Sequence, residues 1–268
     1  MSSGPGTATP PPIRRRLRAD RLLERNLLVY RRLWKVVFSG FFEPVFYLFS
    51  IGVGLGALVG GVTGPGGQEV PYPVFVAPAL LGASAMNGAV FESTMNIFFK
   101  LKFGKVYDGM LTTPMKPMDI AVGEITWCLI RGLLYAAGFL VVALVMGLTR
   151  GWMWILALPA AVLIGFAFAS CGFAATTWMK SWQDFDMVQL VTLPLFLFSA
   201  TFYPLDLYPP ALQAVTRLSP LYHGVELTRG FMLGVVDISM LGHVAFLVGL
   251  GLVGLTITRM RLAKLLLT

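Results

Sequence analysis

Four ionisable residues stand in otherwise apolar stretches of this chain: Glu43, Glu92, Glu124 and Arg131. Charges in such surroundings are costly, and they are usually paired or functional. Glu124 and Arg131 are seven residues apart, which on a helix means one face and two turns. Two readings of the four stay open: a structural network that pairs across helices, or groups that meet a substrate. A second set, His223, Glu226 and Arg229, follows a spacing of three, and Glu226 with Arg229 suits a local ion pair on a helix. His243 is the only other histidine, so a histidine metal site has little support. Cys128 and Cys171 sit in separate apolar segments with no CxxC spacing, which speaks against both a metal site and a structural disulfide. No GxxxxGKS/T phosphate loop occurs, and the glycine-rich GPGGQE at 64–69 has no lysine and no strand before it, so it reads as a turn.

The elements that must position these groups are membrane spans. The chain has 268 residues, of which 56% are hydrophobic and 13% charged. A soluble domain carries about 25% charged residues, so an ordinary cytosolic enzyme, a disordered chain and a disulfide scaffold are all excluded. A span needs about 20 apolar residues in helical form. Six segments qualify, at approximately 36–60, 73–99, 120–148, 152–178, 187–203 and 238–258, the fifth being short and containing Pro194. The two halves show no self-similarity, so an inverted-repeat architecture gets no support.

Lysine and arginine set the orientation. With the N-terminus inside, the parts facing the cytosol hold seventeen basic residues, and the outer parts hold three: Arg150, Arg217 and Arg229. That asymmetry places both termini in the cytosol. It also accounts for the net charge of +8 without nucleic acid as a partner. No apolar core precedes residue 36, so a cleavable signal peptide is not expected and the first span serves as the anchor. At 1.5 Å per residue, the segment 120–148 exceeds a hydrocarbon core of about 30 Å. Counting back from its outer end puts Arg131 near the inner interface and Glu124 outside the core. Glu92 and Glu43 fall in the same inner layer by similar counting. Between that layer and the outer face no acid or base is available for a proton relay, which argues against proton- or sodium-coupled transport.

Residues 1–12 are rich in Gly, Ser and Pro and are expected to be disordered. In 13–35, Leu23, Leu27, Tyr30 and Trp34 recur at helical spacing among eight arginines, the pattern of a basic amphipathic helix lying along the inner leaflet. The inner loop 100–119 is broken by Gly104, Gly109, Pro114 and Pro117, and Val106, Met110 and Leu111 between the breakers can form one or two helical turns with an apolar side. Either a partner docks there or the side packs on the chain's own amphipathic helix or on the membrane. Asp119 is placed to cap the third span. The outer segment 204–237 predicts two short helices, 210–218 opened by Pro209-Pro210 and 221–233 after Ser219-Pro220. Too apolar for a solvated loop and too short to span, they are expected to dip into the outer leaflet as a re-entrant hairpin. The basic tail 259–268 returns to the cytosol, and 36–258 forms the transmembrane domain.

Four stretches carry a family resemblance: FFEPVFYLFSIGVGLG at 41–56, FVAPALLGASAMNGAVFEST at 75–94, KVYDGMLTTPMKPMDIAVGEI at 105–125 and FLFSATFYPLDLYPPALQAVTRLSPLYHGVELTRG at 196–230. In this order and spacing the chain resembles the six-helix permeases of type-2 ABC exporters, nearest the branch of nodulation lipo-oligosaccharide and drug exporters. Ala200 departs from the branch, which usually has Gly there. The resemblance implies an all-α membrane protein with six transmembrane helices, the interfacial helix and the outer hairpin. It implies two permeases, a second copy or a paralogue, paired with two cytosolic ABC ATPase subunits that carry ATP and Mg, this chain binding no cofactor itself.

The resemblance makes Val106, Tyr107, Met110 and Leu111 contacts of an ATPase-coupling loop, so that Tyr107→Asp should uncouple ATP turnover from export while leaving membrane insertion intact. It makes Asn87, Phe91, Phe198 and Phe202 candidates for the translocation path, each pair being four apart on one helix face, with Phe196 pointing elsewhere. Pro220, His223, Glu226 and Arg229 belong to the outer gate, and Glu43, Glu92, Glu124 and Arg131 to the inner-leaflet charge network. The implied function is export of an amphiphilic or hydrophobic cargo, such as a lipid-linked glycan, a lipo-oligosaccharide or a drug, out across the cytoplasmic membrane of a bacterium. The competing readings are a non-transporting subunit that anchors or regulates an ATPase, and a lipid-modifying membrane enzyme, for which His223 with Glu226 is the nearest polar constellation.

Overall fold

In the computed structural model the described residues are 22–28, 42 and 45–267; Glu43, Pro44 and most of the 13–35 segment lie outside them. The chain runs as α1 (22–28), α2 (Val45–Val59), a hairpin of β1 (Gly61–Thr63) and β2 (Glu69–Pro71), α3 (Tyr72–Phe103), α4 (Val106–Leu111) and α5 (Pro117–Val145). It continues as α6 (Met153–Thr176), α7 (Asp184–Leu197), α8 (Pro210–Leu218), α9 (Pro220–Leu233) and α10 (Ser239–Leu267). Four of these, α3, α5, α6 and α10, are long and apolar enough to cross a membrane. The protein is therefore an all-α membrane protein. The first and fifth predicted spans are shorter as helices: α2 has a π-helical stretch over Leu48–Leu55, and α7 has 14 residues.

Helix α6 is the hub, packing against α3, α5, α9 and α10. Its sequence alternates Ala, Gly and Ser with larger residues, which lets neighbouring backbones approach closely. At Gly254 of α10, a Cβ atom would stand 2.8 Å from backbone atoms of Ser170 and Cys171, so glycine is required where α10 crosses α6. Thr258 donates to the Ser170 carbonyl in the same crossing, and Thr176 of α6 donates to the Ser93 carbonyl of α3.

Two expectations change, at 64–69 and at 259–267, and the cap expected of Asp119 is present. The turn at 64–69 is preceded by a strand: Val62 pairs with Val70 and Gly61 with Pro71 in a short antiparallel ladder. Asp119 caps α5 from the third position of the helix, its carboxylate accepting the Lys116 backbone N–H at 2.9 Å. Residues 259–267 continue α10 as helix, so that tail is an extension of the last long helix.

Candidate functional site

One end of the fold is organised around Glu124, whose side chain is 1% exposed. Lys100, at the end of α3, donates to both of its carboxylate oxygens at 3.0 and 2.8 Å, and Asn26 of α1 adds a longer contact at 3.4 Å. Tyr107 of α4 is 1% exposed and also faces this carboxylate. Burial, and then the nearby Glu124 charge, hold its phenol well above the usual range, although the hydroxyl has no well-formed hydrogen bond. Tyr107 is thus the inward anchor of α4 and not a surface contact, which corrects its place among the loop contacts. Val106, Met110 and Leu111 are half-exposed, and Asp108 and Gly109 form the outward side.

Seven residues further along α5, Arg131 pairs with Glu92 of α3, and its other terminal nitrogen donates to the Tyr135 hydroxyl at 2.8 Å. Glu124 and Arg131 therefore do not bond to each other; each reaches across to α3. Among the described residues the network shows two bridges, Lys100–Glu124 and Glu92–Arg131; Glu43 lies outside them. Nothing in the sequence pattern marks Lys100 or Asn26 as partners of Glu124. Residues eight apart on an α-helix point about 80° apart, which would set Glu92 and Lys100 on different faces. The π turns at Glu92–Asn96 and Phe99–Phe103 close wider i→i+5 rings and rotate less per residue, bringing Lys100 back toward the side that carries Glu92.

The Glu92–Arg131 bridge lies in the wall of a cavity of about 550 Å³ between α2, α3, α5 and α7. Asn87 and Phe91, which share a face of α3, line it, and so does Phe196. Phe198 and Phe202 do not line it, because α7 ends at Leu197 and helical spacing does not carry past that point. Phe198 is exposed, and the Phe202 ring packs edge-on against Phe196 with centroids 5.2 Å apart. At the start of α7, the Asp184 carboxylate accepts the Lys180 and Ser181 backbone N–H groups at 2.6 and 3.0 Å.

At the opposite end, α9 packs on α3 and α6. Arg229 is buried and makes three bonds: to Glu226 at 2.8 Å, to the Ala200 carbonyl at 2.6 Å and to the Phe75 carbonyl at 3.4 Å. Its guanidinium also lies over the Phe75 ring at 4.0 Å. The Glu226–Arg229 pair is the one expected from spacing. His223 instead meets His243 of α10, with their Nδ1 atoms 2.6 Å apart. Pro220 opens α9 behind Ser219, whose hydroxyl bonds that of Ser199 at 2.6 Å.

A long, mostly apolar helical chain whose described ionic bridges lie towards its two ends has counterparts among known proteins. Residues 20–233 match the family described as ABC-2 type transporter. The chain belongs to that family. Nodulation protein J of Rhizobium leguminosarum bv. trifolii is 36% identical over 206 residues, covering 76% of this chain and 77% of the relative. Nodulation protein J of Rhizobium meliloti (strain 1021) is 33% identical over 227 residues, covering 84% and 83%. The inner membrane transport permease YadH of Escherichia coli (strain K12) is 25% identical over 197 residues, covering 72% and 74%. An ABC-2 protein of this kind is a multi-pass membrane subunit of a transporter, and its work is transport rather than catalysis. The family match spans both inner bridges, the cavity-lining part of α3 and the whole of α9.

Proposed function

We propose that this chain is the permease subunit of an ATP-driven exporter that moves an amphiphilic or hydrophobic cargo out across a bacterial cytoplasmic membrane. One observation carries the reading. The buried contacts of α4 with the Glu124 site and the wall of the cavity are joined by the same two helices, α3 and α5, through two stacked ionic bridges. Displacement of α4 by a partner is thereby delivered to the cavity by rigid elements, as a shift between conformations requires. The partner is a cytosolic ATPase, two copies to two permeases, and it holds the ATP and Mg. The outward side of α4, with Asp108, Gly109 and the half-exposed Met110, is the surface it engages.

In this reading the chain crosses six times with both termini in the cytosol, α2 being the first crossing and α7 the fifth. At 1.5 Å per residue, α7 covers about 21 Å of a core of about 30 Å. Phe198 still donates its backbone N–H to the Pro194 carbonyl at 2.9 Å, and residues 199–203 complete the crossing without helical bonds. Non-helical backbone at membrane depth is tolerated only when protein groups satisfy it. Ser199, Ala200 and Thr201 are buried, the Ala200 carbonyl is taken by Arg229, and the Phe198 carbonyl accepts from Thr216 at 2.9 Å. Helices α8 and α9 then form the re-entrant outer hairpin that closes the path.

The test is recovery of the tagged full chain from its native membrane in mild detergent, with mass spectrometry and an ATPase assay on the product. A stoichiometric ABC ATPase with vanadate-sensitive turnover is expected. A chain recovered alone and without nucleotide hydrolysis overturns the proposal.

A further inference from the structure

Helix α9 is tied firmly to one neighbour and lightly to another. Thr228 donates to the Pro78 carbonyl of α3 at 2.9 Å, and Arg229 reaches the Phe75 carbonyl on the same helix. Towards α10, the one side-chain hydrogen bond among the described residues joins His223 to His243, with their Nδ1 atoms 2.6 Å apart. Around it the contact is apolar: the His223 ring stacks on Phe246 at 4.0 Å, and Met240 lies against Gly230. Helix α10 is pinned to α6 only further along, at Gly254 and Thr258. Its first turns therefore depend on the two imidazoles for their polar hold on α9.

Two ring nitrogens at this distance share one proton, because one must donate and the other accept. A neutral pair can do this, and so can a singly charged pair whose added proton sits on an Nε2 atom. Two imidazolium rings cannot, since N–H then faces N–H and like charges meet. The surroundings offer little relief. Arg217 of α8 turns its carbonyl towards His223, yet the buried His223 Nε2 has no well-formed bond. On α9, the Glu226 charge reaches His243 but is already bonded to Arg229, and the Tyr222 ring stands edge-on to both histidines at 5.7 and 6.0 Å. From α3 and α6, Gly82 and Ile164 face this part of α9 and carry no charge.

We propose that the His223–His243 bond is a proton-released latch, which holds the start of α10 against α9 at neutral pH and opens when both rings are protonated. Both residues are half-buried, so water can reach the pair. The closed form binds fewer protons than the open one. The contact is thus complete above the ordinary histidine value of about 6.5 and is lost as the pH falls below it. Opening takes up one proton from the singly charged pair or two from the neutral one, so the balance shifts by about tenfold to a hundredfold per pH unit. That opening loosens the outer closure of a transport path rests on the reading above; the latch itself does not.

His223 and His243 are the only histidines in the chain, which makes the test selective. The full chain, carrying nitrogen-15 histidine and purified in lipid nanodiscs through a histidine-free tag, is followed by NMR as the pH is lowered. Above the ordinary histidine value one Nδ1 should be protonated and the other bare, with coupling across the bond. Below it both Nδ1 atoms should become protonated in a single step. In that step the amides of residues 243–250 should lose at least about tenfold in protection from hydrogen exchange, after correction for intrinsic rates, while those beyond Gly254 keep theirs. His243→Phe removes the latch and keeps an aromatic ring, so protection over 243–250 should no longer change with pH; should that variant fail to fold, His223→Phe serves the same purpose. Two rings that titrate independently, joint protonation with unchanged protection, or a pH response that survives in the variants would overturn the proposal. The measurement needs neither nucleotide nor partner, so the latch and the exporter reading can fail separately.

Discussion

Removing Lys100 should expose how much of the inner end depends on one bridge. Glu124 is almost fully buried, and Lys100 meets both of its oxygens at 3.0 and 2.8 Å. The other groups at hand are weaker: the Asn26 amide is 3.4 Å away, and the Tyr107 hydroxyl makes no well-formed bond. Lys100→Met therefore strands a buried carboxylate, a loss of about 3–5 kcal/mol. Because the Lys100 side chain is 13% exposed, water can reach the site and the lower end, about 3 kcal/mol, is expected. For a chain of this length that corresponds to a fall in Tm of roughly 6–12 °C. Glu124→Gln costs less, about 1–2 kcal/mol, since the freed ammonium can turn to water. In the double variant the penalty should shrink, giving a coupling of about 2 kcal/mol between the two sites. The chain supplies its own reporter: Cys128, a buried free thiol, lies one helical turn from Glu124. Labelling by a thiol-reactive fluorophore during a thermal ramp, in a Cys171→Ala background, reads the opening of this region. An unchanged midpoint in K100M, or strict additivity of K100M and E124Q, would show that the bridge is solvated and carries nothing.

Four further outcomes follow from the same geometry. Tyr107→Phe should change the midpoint by less than about 2 °C, because the hydroxyl it removes is poorly bonded. Tyr107→Asp should lose about 3 kcal/mol or more by burying a second carboxylate beside Glu124, so it reports on folding; Asp108→Arg, on the exposed side, is the variant expected to lower vanadate-sensitive turnover in the recovered assembly at an unchanged midpoint. Ala200 has φ 55°, a left-handed conformation that costs a non-glycine residue about 1–2 kcal/mol. Ala200→Gly should therefore raise the midpoint by roughly 1–3 °C after the entropy of the freer unfolded chain is counted, and a drop would mean that the methyl group matters more than the strain. In α10, Gly254→Ala should lower the midpoint by about 4 °C or more, because the new Cβ meets the α6 backbone, whereas Gly249→Ala, with nothing within 4 Å, should leave it unchanged or higher. Equal effects at the two glycines would refute the tight crossing of α6 and α10.

How far the sequence reveals this arrangement depends on whether a boundary is written locally. Pro209-Pro210 and Ser219-Pro220 punctuate the outer segment, and α8 and α9 begin within a residue of where those pairs place them. The end of α7 is different. The stretch LFLFSATFY at 195–203 contains neither Gly nor Pro, and its apolar run gives no reason to stop. The stop comes from elsewhere in the chain: Thr216 takes the Phe198 carbonyl, and Arg229 takes the Ala200 carbonyl at a left-handed turn. A helix-face argument across 198 and 202 fails for that reason, while the same argument across Asn87 and Phe91, inside α3, places both on the cavity.

The inner bridges show the same limit in finer form. Residue type and depth are enough to say that Glu92, Glu124 and Arg131 must be neutralised, since isolated charges near the hydrocarbon are not tolerated. Their partners depend on helical phase, and phase is where a local change escapes pattern reading. On α5, Glu124 and Arg131 are seven apart and stay on one side of the helix by ordinary α-helical rotation. To meet both, α3 must present two groups along one side. The π turns supply this by under-rotating the eight-residue interval from Glu92 to Lys100. Nothing in ESTMN or FKLKF announces a π turn, so Lys100 looks like one more inner-leaflet lysine. The structure spends that irregularity at the level where α4 is anchored and the cavity begins. A helix that was regular throughout would satisfy one carboxylate or the other, and the inner anchor and the cavity wall would no longer be held by the same pair of helices.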